Sequence, residues 1–241
     1  MKLSILSSSS AGNCYILQDN SQALIIECGV KLSQIKKSLD YNLSKVVGCF
    51  VTHAHGDHSK SVGELMDSGV DVFALKDVHK TKHHRAKIIK ADTGYSVANF
   101  KVFAFGVSHD VPCLGFVITH PDTGSILFLT DTFTCDYTFS GLSHILIECN
   151  YADDILDRNI NSGSVPGIMR KRLLFSHMEL QTTKQLLQAH DLTGVNTITL
   201  IHLSSQNSDQ NRFTKEITQA TGKIVRAATK GMEIDFNTQP Y

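Results

Sequence analysis

The sequence predicts an α/β chain whose strands stack as two facing sheets with helices on the outside. Apolar runs of strand length recur along it, a βα unit follows each of two strand-rich stretches, and no linker or low-complexity tract divides its 241 residues. Helices flanking such strands must bury one face against a sheet, which gives a layered sandwich. One domain over 1–241 is expected, although about 150 residues per domain would also allow two.

The first strands are expected at 2–6, 14–17 and 23–27, separated by the turn formers of 7–13 and 18–21. Leu32, Ile35 and Leu39 have helical spacing, and the run Val46-Val47-Gly48-Cys49-Phe50-Val51 reads as a buried strand leading straight into His53. A helix over about 59–68, ended by Gly69, and a strand at 70–75 complete the first half. Strands at 98–105, 114–119, 125–129 and 145–149 read as an antiparallel group, the middle two joined by Pro121-Asp122-Thr123-Gly124. Leu180, Leu186, Leu187 and Ala189 mark a helix to about His190, followed by a strand at 197–200, a helix near 213–221 and a last strand at 232–236.

Composition narrows the function classes. With Lys+Arg and Asp+Glu both at 23, no overall charge draws the chain to nucleic acid or an anionic membrane, so any such binding must come from local clusters. No apolar run approaches the roughly 20 residues of a membrane span, and the N-terminus turns polar too early for a signal-peptide core. No membrane partner is expected. Cys14, Cys28, Cys49, Cys113, Cys135 and Cys149 are scattered without a CxxC pair, which suits a reducing cytoplasm better than a disulfide framework. The 12 histidines are the unusual count.

Four potential ligands fall in Thr52-His53-Ala54-His55-Gly56-Asp57-His58, between an apolar strand and a helix. Alternation on an extended segment can aim His53 and His55 one way while the turn into the helix aims Asp57 and His58 at a neighbouring position. Imidazole and carboxylate suit zinc, manganese or iron, so one segment can serve two metals.

This motif resembles the HxHxDH signature of the metallo-β-lactamase-fold hydrolases, which implies a four-layer αββα sandwich with a metal site at one edge of the paired sheets. The family's later ligands have counterparts in Ser108-His109-Asp110, Asp131-Thr132 and Leu200-Ile201-His202. By resemblance, His53, His55 and His109 hold one metal, Asp57, His58 and His202 the other, and Asp131 bridges them. Taken singly, His109, Asp131 and His202 would read as ordinary surface residues. Ser8-Ser9-Ser10-Ala11-Gly12-Asn13-Cys14-Tyr15 is similar to the SGSSGN opening of the VicX/YycJ (WalJ-like) group, and Glu148-Cys149-Asn150-Tyr151, Ser176-His177-Met178-Glu179 and His202-Leu203-Ser204-Ser205-Gln206-Asn207 extend the likeness over nearly the whole chain. The chain departs from that group's pattern at Glu27 (Asp there), Glu179-Leu180 (Ser-Asn) and Ser208 (Asn).

Two clamped divalent ions, zinc or manganese with iron as a further option, favour phosphodiester hydrolysis. The resemblance adds His177 as proton donor to the leaving oxygen, with Glu148 orienting it; Asp57 joins these two as a catalytic candidate, and Asn13 is a candidate phosphate contact. Lys76, Lys80, Lys82, Arg85, Lys87 and Lys90, interleaved with His79, His83 and His84, form one basic segment, and Arg170-Lys171-Arg172 another. Lys82, Arg85 and Lys87 are the chosen candidates for a nucleic-acid backbone, against the plainer reading of a solvated face. The leading expectation is a dinuclear phosphodiesterase on nucleic acid, exonuclease-like by resemblance. Alternatives are a phosphodiesterase for a small cyclic phosphate or nucleotide, a thioester hydrolase, and a non-catalytic metal-binding regulatory module.

Overall fold

The structure is a computed structural model that describes residues 1–237; the end of the expected 1–241 domain lies outside the described residues. Its first half runs β1 (Lys2–Ser9), β2 (Gly12–Gln18), β3 (Ala23–Ile26), α1 (Leu32–Ser38), β4 (Val46–Phe50), α2 (Gly56–Ser59), α3 (Val62–Asp67), β5 (Val72–Ala74) and β6 (Ala86–Ile88). Next come β7 (Thr93–Val97), β8 (Phe100–Val107), β9 (Cys113–His120), β10 (Gly124–Leu129) and β11 (Leu142–Glu148). The chain then continues through α4 (Asp153–Asn161), α5 (Ile168–Ser176), α6 (Leu180–Ala189), β12 (Thr197–Ile201), α7 (Gln210–Thr221), β13 (Ile224–Ala227) and β14 (Met232–Asp235).

These strands form two seven-stranded mixed sheets, ordered β14-β1-β2-β3-β4-β5-β6 and β13-β12-β11-β10-β9-β8-β7. Period-2 alternation explains how each sheet is buried on both faces. In β3, Leu24 and Ile26 face the other sheet while Ala23 and Ile25 face helices. In β11, Leu146 points inward and Ile145 and Ile147 outward. The central cluster joins Tyr15, Leu17 and Phe50 of one sheet to Phe116, Phe128 and Leu146 of the other. Ile35 of α1 and Leu65 of α3 cover the first sheet, and Leu187 of α6 and Phe213 of α7 cover the second. Fully burying each such side chain contributes about 1.5–3 kcal/mol, so the layers αββα follow from where the apolar residues fall.

Several expectations needed correction. The last of the four supposedly antiparallel strands pairs in parallel with β10, because residues 130–141 cross over rather than turn back. The helix expected over 59–68 is two short helices broken at Lys60-Ser61, the first starting at Gly56. Strands β6, β7 and β13 and helices α4 and α5 were not anticipated.

Candidate metal centre

Parallel strands deliver the site residues to one edge of the sandwich. His53 follows β4, Asp131 follows β10, Glu148 ends β11 and His202 follows β12. Glu27 (φ 61°), Asp131 (φ 48°) and His202 (φ 54°) all leave their strands in the left-handed region. For side chains other than Gly this costs about 1–3 kcal/mol each, and such strain collects at functional sites.

The first cluster is His53, His55, His109 and Asp131. Nδ1 of His53 is hydrogen-bonded with Thr52 Oγ1 at 2.8 Å, and His109 Nδ1 donates to the Ser176 carbonyl at 3.0 Å. These bonds turn both Nε2 atoms toward Asp131 Oδ2, at 3.5 and 3.9 Å, and His55 Nδ1 stands 3.4 Å from His109 Nε2. The second cluster is Asp57, His58, Asp131 and His202. His58 Nε2 lies 3.2 Å from the same Asp131 Oδ2 and 3.4 Å from Asp57 Oδ2, while His202 Nε2 lies 3.8 Å from Asp57 Oδ2. A tetrahedral centre with ligands at about 2.1 Å separates them by about 3.4 Å, so both clusters have the spacing of a coordination shell. Nε2 of His53 and of His202 are buried without a hydrogen-bond partner, the expected state of nitrogens meant for a cation. His58 Nδ1, on the Glu27 side of its ring, is also unpaired, as are ring nitrogens of His79, His144 and His190, which belong to neither cluster.

Electrostatics agrees with a cation site. Burial opposes charge on His58 and His202, yet Asp131, helped by Glu27 at His58 and by Asp57 and Glu148 at His202, raises both well above the usual imidazole range. Asp131, despite burial, is held well below the carboxylate range by those two rings. Burial, then the charge on His58, pushes His53 down. A divalent cation therefore competes with protons for this carboxylate-rich pit.

Carboxylates behind the clusters orient them. Glu27 is fully buried, accepts from Thr52 N at 3.3 Å and sits 3.4 Å from His58 Nδ1, an ion-pair separation without a hydrogen bond. Glu148 Oε1 lies 2.8 Å from Nδ1 of both His177 and His202, while its Oε2 accepts from Thr132 N and Met178 N at 3.2 Å. Glu179 caps α6 by accepting from Gln181 N and Thr182 N, which accounts for a carboxylate beside His177.

The candidates for substrate contact fare differently. A cleft of about 60 Å³ over the clusters is lined by Ser10, Asp110, Arg172, Ser176 and His177 together with metal-site side chains. Asn13 lies beneath it, fully buried, donating to Ser9 O at 3.1 Å with its amide 3.0 Å from His58 Nε2. Lys82, Arg85 and Lys87 do not line the cleft. Arg85 and Lys87 pair with Asp71 at 3.0 and 3.6 Å, where β5 and β6 begin. Both strands run parallel to β4, and because Val72 pairs with Cys49 the Asp71 pairing lies alongside β4, before the strand end that leads to His53. Arg172 is the cation the structure brings to the site; α5, which carries it, has apolar residues on all sides and so no readable amphipathic face.

The family model described as Metallo-beta-lactamase superfamily matches residues 9–134. Exodeoxyribonuclease WalJ of Streptococcus pneumoniae is 26% identical, with 98% of this chain and 92% of the relative covered. Exodeoxyribonuclease YycJ of Bacillus anthracis is also 26% identical, covering 86% of this chain and 84% of the relative. Among solved structures, the metallo-beta-lactamase fold protein YhfI of Bacillus subtilis superposes with a TM-score of 0.70 at 16% identity, covering 97% and 99% of the two chains.

Proposed function

This chain belongs to the metallo-beta-lactamase superfamily, and from that premise we propose that it is a two-metal phosphodiester hydrolase acting on nucleic acid as an exonuclease. The observation that carries the reading is Asp131 Oδ2, which faces His53 Nε2 at 3.5 Å in one cluster and His58 Nε2 at 3.2 Å in the other. The names of the two relatives support DNA as substrate.

His53, His55 and His109 would hold one ion, Asp57, His58 and His202 the second, with Asp131 shared. When bound, a pair of divalent ions supplies an acidified water and charge neutralisation for in-line displacement at phosphorus. The imidazole and carboxylate donors favour zinc or manganese, with iron as a further option. The ring of His177 lines the cleft, and its Nδ1 donates to Glu148, which leaves Nε2 to carry a proton to the departing oxygen. Glu148 thus orients the acid and, through His202, the metal face. Asp57 is assigned as a ligand with a direct part in catalysis. The Arg172 guanidinium lines the cleft, has no acidic partner among the described residues and suits a phosphate oxygen, in place of Lys82, Arg85, Lys87 and Asn13. One domain and a cytoplasmic location complete the reading, supported by the shared inter-sheet core and six unpaired cysteines.

The test is hydrolysis by metal-reconstituted protein of single- and double-stranded DNA, RNA, bis(p-nitrophenyl) phosphate and cyclic nucleotides. Metal-dependent release of nucleotides from a DNA end is expected. Turnover confined to cyclic nucleotides, or metal binding without turnover of any diester, would overturn the assignment.

A further inference from the structure

Two aromatic rings within two residues of cleft-lining side chains belong to none of the apolar clusters of the described residues. Phe175 is 58% exposed, and Phe133, half-buried, meets it edge to face with ring centroids 6.2 Å apart. Neither ring is packed into any of the apolar clusters beneath the sheets.

Both are tied to the site by their neighbours. Phe133 lies two residues beyond Asp131, and its N–H donates to the Ser108 carbonyl, next to His109, at 3.3 Å. Phe175 precedes Ser176, whose carbonyl holds His109 Nδ1, and stands two residues before His177. On α5, Arg172, Phe175 and Ser176 are spaced i, i+3 and i+4 and share one side of the helix. An exposed aromatic face thus stands one helical turn from a guanidinium with no acidic partner among the described residues, both near the groups that would act on phosphorus. A nucleotide at the end of a single strand presents the matching pair, a base with an exposed π-face and an anionic phosphate.

We propose that Phe133 and Phe175 form a base-stacking subsite that, with Arg172 on the adjoining phosphate, engages the terminal nucleotide as its backbone enters the cleft. The inference rests on the nuclease reading and gives its site a contact for the terminal base. A terminal base exposes at least one π-face and stacking accepts any base, so the subsite does not select sequence.

The experiment compares an intact single-stranded oligodeoxynucleotide with one whose terminal nucleotides at both ends are abasic tetrahydrofuran analogues. The manganese-loaded full chain is used, and kcat/KM is the readout. The original protein is expected to prefer the intact strand by about 5- to 150-fold, the span that corresponds to about 1–3 kcal/mol of stacking. Phe175→Ala or Phe133→Ala should bring that ratio down toward unity, and Phe175→Tyr, which keeps the ring, should retain it. A merely structural role would lower both rates together and leave the ratio unchanged, which would overturn the proposal. Equal cleavage of the two strands by the original protein would also overturn it while leaving the nuclease reading intact. No cleavage of either strand by the metal-loaded protein would remove the nuclease reading and the subsite with it.

Discussion

His177 Nδ1 lies 2.8 Å from Glu148 Oε1, the carboxylate oxygen that also sits 2.8 Å from Nδ1 of His202. One fully buried carboxylate thus touches both the proposed proton donor and a proposed metal ligand, so the two roles have separable signatures.

Replacing the donor should leave the metals in place. His177→Ala is expected to retain the metal content of the original protein and to slow cleavage of DNA by about 10²- to 10⁴-fold, the usual contribution of a general acid. Hydrolysis of bis(p-nitrophenyl) phosphate, whose leaving group needs little protonation, should fall much less. Equal losses on the two substrates would exclude the acid role.

Replacing the carboxylate should disturb both sides. In Glu148→Gln an amide NH₂ must face at least one of the donors from Thr132 N, Met178 N, His177 and His202. A buried donor left unpaired costs about 1–3 kcal/mol. Loss of a partner behind a metal ligand weakens metal binding by about 10- to 100-fold. A chelator competition and a thermal melt would read the two effects; an unchanged metal affinity would contradict the assignment.

The Asp57-His58 turn depends on a glycine. A Cβ placed on Gly29 would overlap the carbonyl oxygen of Asp57, where Cys28 N already donates to His58 O at 2.8 Å. Gly29→Ala should destabilise the fold by at least about 1–3 kcal/mol and weaken the second metal position selectively. Denaturant unfolding with metal titration tests this. A variant with unaltered midpoint and stoichiometry would show that the turn does not need the close approach.

Acid stability should reflect His144, which is buried against Phe236 with Nδ1 2.8 Å from Thr197 Oγ1. Burial, opposed by an Asn237 backbone bond and aided by Arg226, pushes its ring down to about 4. The unfolded chain takes up this proton below about pH 6.5, so the stabilisation is present above that value and is lost as pH falls toward 4. Between pH 7 and 5 the original protein should lose about 2 kcal/mol more than His144→Asn, at about 1.4 kcal/mol per pH unit. Urea midpoints at the two pH values measure the difference, and equal pH slopes would disprove it.

Much of this was legible because the signal was local. His53 to His58 fall in one window at the end of β4, and the buried runs of β3, β4, β10 and β11 are too apolar to be loops. The helix over 168–176 is not legible in the sequence because its apolar residues fall on all sides and form no stripe. Arg172 stands out in the sequence only as part of the basic cluster Arg170-Lys171-Arg172, and Phe175 carries no signal there. Strand β6 is only three residues long, and β7, Thr-Gly-Tyr-Ser-Val, alternates half-buried and exposed positions on a sheet edge. The basic segment showed charge but not partners: Asp71 lies 14 residues before Arg85 in sequence and becomes its neighbour only once β5 and β6 align.

The central claim is a pair of divalent ions sharing Asp131, and the most direct measurement is DNA hydrolysis against metal equivalents added to metal-depleted protein, with bound metal counted at each point. The account predicts that activity rises with the second equivalent and saturates at two ions per chain, and that Asp131→Ala neither holds the pair nor turns over. Full activity at one ion or none, or an Asp131→Ala variant that keeps both ions and normal turnover, would contradict it.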